Sequence, residues 1–286
     1  MAIFESTRGL IEETEKSGLP IWEYVLKTSC EESNISEEQS WEMMGKTFDA
    51  MLESYRSYDQ FQVSASGLVG GDAEKMRVAR NSGDTICGSF IGSVIATALT
   101  VSECNACMHR IVAAPTAGSC GVLPAILRYF QKKMDITEEN ILRALATAGV
   151  FGNVVKHTGS ISGAEVGCQG EIGVACAMAA AAAEYFYSGT SRQIEYAAES
   201  GLEHHLGLTC DPVAGLVQVP CIERNAAAAN AALFAAQFVM FSDGSHRVSF
   251  DDVIKVMMNT GIDMPALYRE TSEGGLAKVY RIPTGT

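Results

Sequence analysis

The run IGVACAMAAAAAEYFY (172–187), with its counterpart AAAANAALFAAQFVMF (226–241), decides the fold class. Alanine is the strongest intrinsic helix former, and neither run alternates apolar with polar residues as a half-buried strand would. Side chains this small let neighbouring helices approach closely, so the two runs read as a buried central hairpin or bundle. A membrane-spanning reading is disfavoured, because each run falls short of ~20 residues and is bounded by Glu, Arg or Asp.

Helical signals continue on both sides. Ser36-Glu37-Glu38-Gln39 has the form of a capping box, in which the serine hydroxyl and the glutamine side chain satisfy end amides reciprocally. The helix it opens is predicted over about 37–58, with Trp41, Met44, Phe48, Met51 and Tyr55 at spacings of three and four. Residues 84–100 read as a small-residue helix. Thr137 caps a helix whose first turn holds Glu138 and Glu139, which suit the positive end of the helix dipole. Ser191 begins another that closes near Gly207, and Ser249 with Asp252 opens the last, with Gly261 at its end. Glycine-rich breaks at 67–71, 117–121, 159–173 and 207–215 fall between helices, where irregular backbone can present ligands. The expected fold is all-α or predominantly α, a compact helical domain around Ala-rich central helices. Residues 1–60 read as a helical N-terminal section and 61–286 as the body, or the two as one continuous domain.

Composition narrows the partners. Of the 286 residues 47% are apolar and only 19% charged, which supplies a large interior. The formal net charge of −13 repels phosphates, so neither nucleic acid nor an anionic membrane surface is an expected partner. The opening MAIFESTRGLIEETEKSG carries acids early and has no apolar core before a cleavage site, so no signal peptide is expected and the cytoplasm is the expected compartment. Nine cysteines would then be reduced rather than paired, which makes metal binding worth testing.

Three cysteines stand at the breaks: Cys168 in VGCQGEIG, Cys210 in LGLTCDPVAG and Cys221 in VQVPCIER, separated by 42 and 11 residues. That spacing matches neither a zinc-finger pair nor a ferredoxin run. Each lies beside Gly or Pro at a helix edge, where nearby amides favour thiolate. Spacing alone leaves two readings open, a shared metal site and unrelated buried cysteines, and leans to the second.

The strings SISGAEVGCQGEIGVACAMAAAA and EHHLGLTCDPVAGLVQVPCIERNA, with PTAGSCGVLPAIL upstream, resemble the alpha chain of the iron–sulfur-dependent L-serine dehydratases over roughly 60–280. The resemblance implies an alpha-type catalytic domain over 61–286, a 4Fe–4S cluster held by Cys168, Cys210 and Cys221, and conversion of L-serine to pyruvate and ammonia, a step of amino-acid degradation and gluconeogenesis. Three protein ligands leave one iron open to act as a Lewis acid on the serine hydroxyl, and that iron makes oxygen sensitivity an expectation. Some members of the family plug it with a C-terminal cysteine. RIPTGT (281–286) has none, so that plug is not expected here.

Two loops suit the substrate. Thr116, Gly118 and Ser119 of PTAGSCG precede a helix start whose free amides can cradle a carboxylate, with Gly118 and Gly121 permitting unusual backbone angles; the bland reading is a capped turn. In GSISG, Ser160 and Ser162 can bond substrate and Gly163 can admit close backbone approach. GSISG contains no lysine, and Lys156 nearby lacks the Ser-x-Lys setting of a Schiff-base site, so pyridoxal phosphate is not expected. For the base, the resemblance points to His204, six residues before Cys210, with His157 and Lys156 beside GSISG as alternatives. Glu165, Glu171 and Asp211 can each balance the substrate ammonium or simply cap a helix. Glu223, Arg224 and Asn225 can bond cluster sulfides or fasten a helix, with Arg224 adding charge favourable to an anionic cluster.

Single-chain relatives also carry a beta-like region with a Gly-Pro-Ser-Ser-Ser-His type motif. No such string occurs here, so a beta subunit is an expected partner within an oligomer. An iron–sulfur L-cysteine desulfidase is the alternative enzyme. A redox or binding protein built on Cys104 and Cys107 (CNAC) is the non-enzymatic alternative, although the apolar flanks of that pair favour packing.

Overall fold

The computed structural model describes residues 2–280; RIPTGT, on which the plug expectation rests, lies outside them. Among the described residues there are twelve α-helices and no strand, with one isolated bridge between Cys210 and Arg269. The fold is predominantly α.

The first alanine run forms α9 (Val174–Phe186), buried continuously from Val174 to Glu184. A helix apolar on every side has no solvent face to offer. Packed against it are α6 (Val122–Lys133), α7 (Glu138–Thr158), α10 (Ser191–Glu203) and α11 (Cys221–Val239), the last built from the second alanine run. α5 (Gly88–Ala106) lies on α6 and α11 and carries α4 (Asp72–Ser82). The N-terminal helices join the same body: α1 (Thr7–Ser17) packs on α10, α2 (Ile21–Ser33) on α7, and α3 (Glu37–Arg56) on α5 and α7. Leu10, Ile21 and Phe48 belong to one hydrophobic cluster with Ala180 and Phe151. α12 (Phe250–Asp263) packs on α10 and on the single turn α8 (Gly163–Val166).

Small residues set the separations. A Cβ added at Gly201 of α10 would lie 3.1 Å from the Ala177 Cα of α9, and one at Gly152 of α7 would lie 2.7 Å from the Met178 sulfur. No helix among the described residues is long and apolar enough to cross a membrane.

Helix ends follow the capping chemistry with two corrections. Ser36 and Gln39 form the reciprocal box, Thr137 accepts from the Asn140 amide, and Ser249 accepts from that of Asp252. α10 begins at Ser191 as read, behind Thr190, which with Gln193 makes a second reciprocal box, but it stops short of Gly207. It closes at Glu203, where the His205 and Leu206 amides turn back to the carbonyls of Leu202 and Glu203. Gly261 does not end α12, which continues to Asp263. Its role is contact: a Cβ there would meet the Val166 Cα of α8 at 2.7 Å.

That contact fixes α8 against α12 through backbone, which cannot swing aside. Gly261→Ala is therefore expected to destabilise the chain by about 1–3 kcal/mol through overpacking. Thermal unfolding of the variant beside wild type checks this; an unchanged midpoint would refute the contact.

Candidate metal centre

The glycine-rich breaks converge at the entry to α11. PTAGSCG runs through a short 3₁₀ turn, Ala117–Ser119, into α6. Within it the Thr116 and Ser119 hydroxyls lie 3.1 Å apart, the Thr116 amide donates to Ser119 Oγ at 3.3 Å, and the buried Ser119 hydroxyl also reaches the Ala114 carbonyl at 3.2 Å. Ser119 is thus committed to its own loop. Gly118 and Gly121 are not among the glycines with positive φ, and the reason for glycine is proximity. A Cβ at Gly121 would lie 2.4 Å from Ser102 Oγ and 2.6 Å from the Ala98 carbonyl oxygen. In GSISG, Ser160 Oγ donates to the Glu165 carboxylate and accepts from the Ser162 amide at 3.1 Å. A Cβ at Gly163 would lie 2.9 Å from Cys210 Sγ and 2.8 Å from Glu171 Oε2.

Cys168 precedes a single π-helical turn, Gln169–Gly173, that leads directly into α9. π turns expose irregular backbone and recur at functional sites. Cys168 Sγ, Cys210 Sγ and a Glu171 carboxylate oxygen all lie within 4.8 Å of one another. All nine cysteines are free, and Cys168, Cys210 and Cys221 are buried. Cys221 is the first residue of α11, close enough to Cys168 and Glu171 for their charges to act on it.

Two neighbours of Cys221 tie the loops together. Arg224 donates to the Thr209 carbonyl at 2.6 Å and to Asp211 Oδ1 at 3.1 Å, and it also reaches the Cys168 sulfur. Asn225 donates to the Gly118 carbonyl at 2.7 Å and accepts from the Gly121 amide at 2.8 Å. Gln169 adds a third clasp, donating to the Val166 and Met257 carbonyls at 2.6 and 3.0 Å and accepting from the Gly207 amide at 2.9 Å.

This geometry divides the charge unevenly. The hydrogen bond from Cys210 and then the Arg224 guanidinium hold the Cys168 thiol below its ordinary range against the pull of burial. The shared proton and burial push Cys210 up. Burial, with the nearby Cys168 and Glu171, pushes Cys221 up to about 12. Burial also raises the Glu171 carboxyl, opposed by a Thr116 hydrogen bond and reinforced by Glu270. Soft sulfur donors grouped with one carboxylate and a guanidinium suit a metal centre.

The other candidates fall away from this point. His204 is exposed at the end of α10, its Nδ1 2.7 Å from the Ser200 carbonyl oxygen and its ring 5.8 Å from Phe234. Lys156 and His157 are exposed at the end of α7. Among the described residues no hydrogen bond joins any histidine to Cys168, Cys210, Cys221 or Glu171. In CNAC, burial pushes Cys104 up to about 11, the setting of a packed thiol. Reading the sequence missed the Gln169 clasp and Glu270, whose amide donates to the Cys210 carbonyl at 2.6 Å; no local motif announces either.

Comparison with known proteins gives one consistent answer. A family model described as serine dehydratase alpha chain matches residues 16–277. An "L-serine dehydratase" of Streptomyces coelicolor is 43% identical over 253 residues, covering 85% of this chain and 56% of its own. "L-serine dehydratase TdcG" of Escherichia coli is 55% identical over 181 residues, covering 63% and 40%. A Bacillus subtilis protein named "Probable L-serine dehydratase, alpha chain" is 39% identical over 283 residues, covering 99% and 93%. The chain thus spans about half the length of the first two relatives and nearly all of the third.

Arg224 holds the Cys210 segment to the first turn of α11. Arg224→Met is expected to leave Asp211 buried without its partner and to destabilise the metal-free chain by about 3 kcal/mol. Denaturant unfolding measures it; a loss below ~0.5 kcal/mol, the range of an ordinary surface substitution, would show that the fork carries no weight.

Proposed function

This chain belongs to the serine dehydratase alpha-chain family, and from that premise we propose that it is the catalytic chain of an L-serine ammonia-lyase holding a 4Fe–4S cluster on Cys168, Cys210 and Cys221. What supports the reading is one observation: two glycine-lined loops and the Cys168–Cys210 pair meet at a single point beside the first turn of α11. The donor set fits such a group, being three buried free thiols with a guanidinium beside one of them. When bound, the cluster would supply a Lewis-acidic iron for the serine hydroxyl, a leaving group too poor to depart unaided at neutral pH.

The remaining steps belong to the polypeptide. Thr116 and the amides of Ala117 and Gly118 receive the substrate carboxylate, those of Ser119, Cys120 and Gly121 being bonded within the protein, and Ser162 with the backbone at Gly163 lines the opposite side. Ser119 and Ser160 hold these loops in shape. Loss of the Cα proton and of the hydroxyl releases water and leaves 2-aminoacrylate. That species tautomerises to the imine, and hydrolysis gives pyruvate and ammonia. No lysine is needed as a Schiff base, and Lys156 stands exposed.

The proton acceptor is assigned to a partner. His204, His157 and Lys156, the candidates within this chain, are exposed and unbonded to the sulfurs. A beta chain that completes the site fits the alpha-chain name of the Bacillus relative and the greater length of the other two. Nine free thiols and an open iron suit a reducing compartment such as the cytoplasm.

Anaerobic reconstitution tests the proposal. About four irons and four sulfides per chain are expected, with L-serine perturbing one iron in the Mössbauer spectrum. Serine substitution of Cys168, Cys210 or Cys221 should abolish the cluster and lower turnover on the order of 10³-fold. Iron that binds equally well to all three variants would defeat the ligand assignment, and full turnover by the loaded chain alone would defeat the partner.

A further inference from the structure

Three carboxylates surround the candidate centre on the sequence, and the structure separates them by what each already holds. Asp211 is occupied: it accepts from Arg224 at 3.1 Å, from the Thr209 hydroxyl at 3.3 Å and from the Leu276 amide at 2.8 Å. Glu165 is exposed and accepts from Ser160. Glu171 is different. It is only partly exposed, and it makes no ion pair with Lys, Arg or His among the described residues.

Its surroundings are those of a recognition group. Cys210 Sγ stands 4.0 Å from Glu171 Oε2. Both substrate loops reach it through glycine: a Cβ at Gly118 would lie 3.5 Å from Glu171 Oε1, and one at Gly163 would lie 2.8 Å from Oε2. Glycine at both positions thus brings loop backbone close to the carboxylate, with Val217 beside Gly118. A second acidic group acting on it is the exposed Glu270, again negative. Among the described residues, two cations stand at the centre and both are engaged elsewhere: Arg224 with Thr209 and Asp211, and Arg269, which is paired with Cys210 through backbone, with the Glu165 carbonyl. A half-buried carboxylate beside a second carboxylate, with its cation missing, is matched by a ligand that brings the cation with it.

We infer that Glu171 is the ammonium anchor of the site and the residue that restricts it to α-amino acids. The assignment rests on the serine ammonia-lyase reading above and deepens it. With the carboxylate of serine on the 116–121 turn and its hydroxyl directed to the sulfur cluster, the third polar group of the substrate is left to face Glu171. A hydroxy acid of the same size would satisfy two contacts and leave this carboxylate unpaired. Sites built to bond a polar substituent discriminate strongly against ligands that lack it.

The test titrates the cluster-loaded chain anaerobically with L-serine and with 3-hydroxypropanoate, which keeps the hydroxyl and carboxylate but has no amino group, following the cluster spectrum. Wild type is expected to prefer serine by about 10- to 100-fold, as a charge-assisted hydrogen bond supplies. Glu171→Gln should reduce that preference to within about threefold by weakening serine alone, with Glu171→Asp recovering part of it. With the loaded chain combined with its beta partner, the KM for serine should rise far more than kcat falls. An unchanged preference in Glu171→Gln would overturn the assignment. So would a kcat collapse at constant KM, the mark of a base, or an altered spectrum of the ligand-free variant, the mark of a metal ligand. A loaded wild-type chain that responds to neither compound would overturn the functional reading itself.

Discussion

The first turn of α11 carries the architecture of the centre. Arg224 joins the backbone at Thr209, the carboxylate of Asp211 and the sulfur of Cys168, while Asn225 grips the 118–121 turn from the adjacent position. These bonds cross separations of 13 to 107 residues in sequence. An arginine suits the task because its planar fork serves several acceptors at once and keeps its charge when buried. Without that turn, three irregular loops would each have to find their own order, and irregular backbone has little intrinsic preference to guide it.

What allows α11 to stand where it does is the smallness of its neighbours. α9 is buried on every side, and alanine and glycine let α7, α10 and α11 approach its backbone. Cys168, the π turn and α9 are continuous in the chain, so the position of the first sulfur is inherited from a helix buried from Val174 to Glu184. Cys221 is in turn fixed by the helix that packs beside it. Sites built on packed helices hold geometry more tightly than sites carried by loops alone. Here the loops contribute glycine faces and amides, and the helices contribute sulfur and charge.

The helices were legible in the sequence because their signals are local. Ala-rich runs, Ser36 with Gln39, Thr137 and Ser249 each act within a few residues, and the structure keeps them. Where local reading failed, the cause was distance along the chain. Gly121 and Gly261 look like residues chosen for backbone angle or for helix termination. Their reason is Ala98 and Val166, which only the tertiary fold brings near. The grouping of Cys168 with Cys210 was visible through resemblance rather than spacing, since a gap of 42 residues fixes no geometry. The three acids could not be ranked at all, because what distinguishes Glu171 from Asp211 among the described residues is the absence of an ion pair, and ion pairs across the fold are not written beside a residue.

The balance of charge follows from these placements. The chain is strongly acidic, with a net charge of −13, yet it commits a half-buried arginine to the sulfur end of the centre and leaves acidic groups, the half-buried Glu171 and the exposed Glu270, on the other. Each arrangement is unfavourable alone: a buried guanidinium needs anions, and a half-buried carboxylate needs a cation. Cys168 and Asp211 answer the first within the protein. Among the described residues no ion pair answers the second. On the proposed reading, an acidic group left without a cation suits a zwitterion, which brings its own ammonium with its carboxylate. Serine has that form, and the third feature of serine, its hydroxyl, is the group that a sulfur-bound metal would be placed to meet.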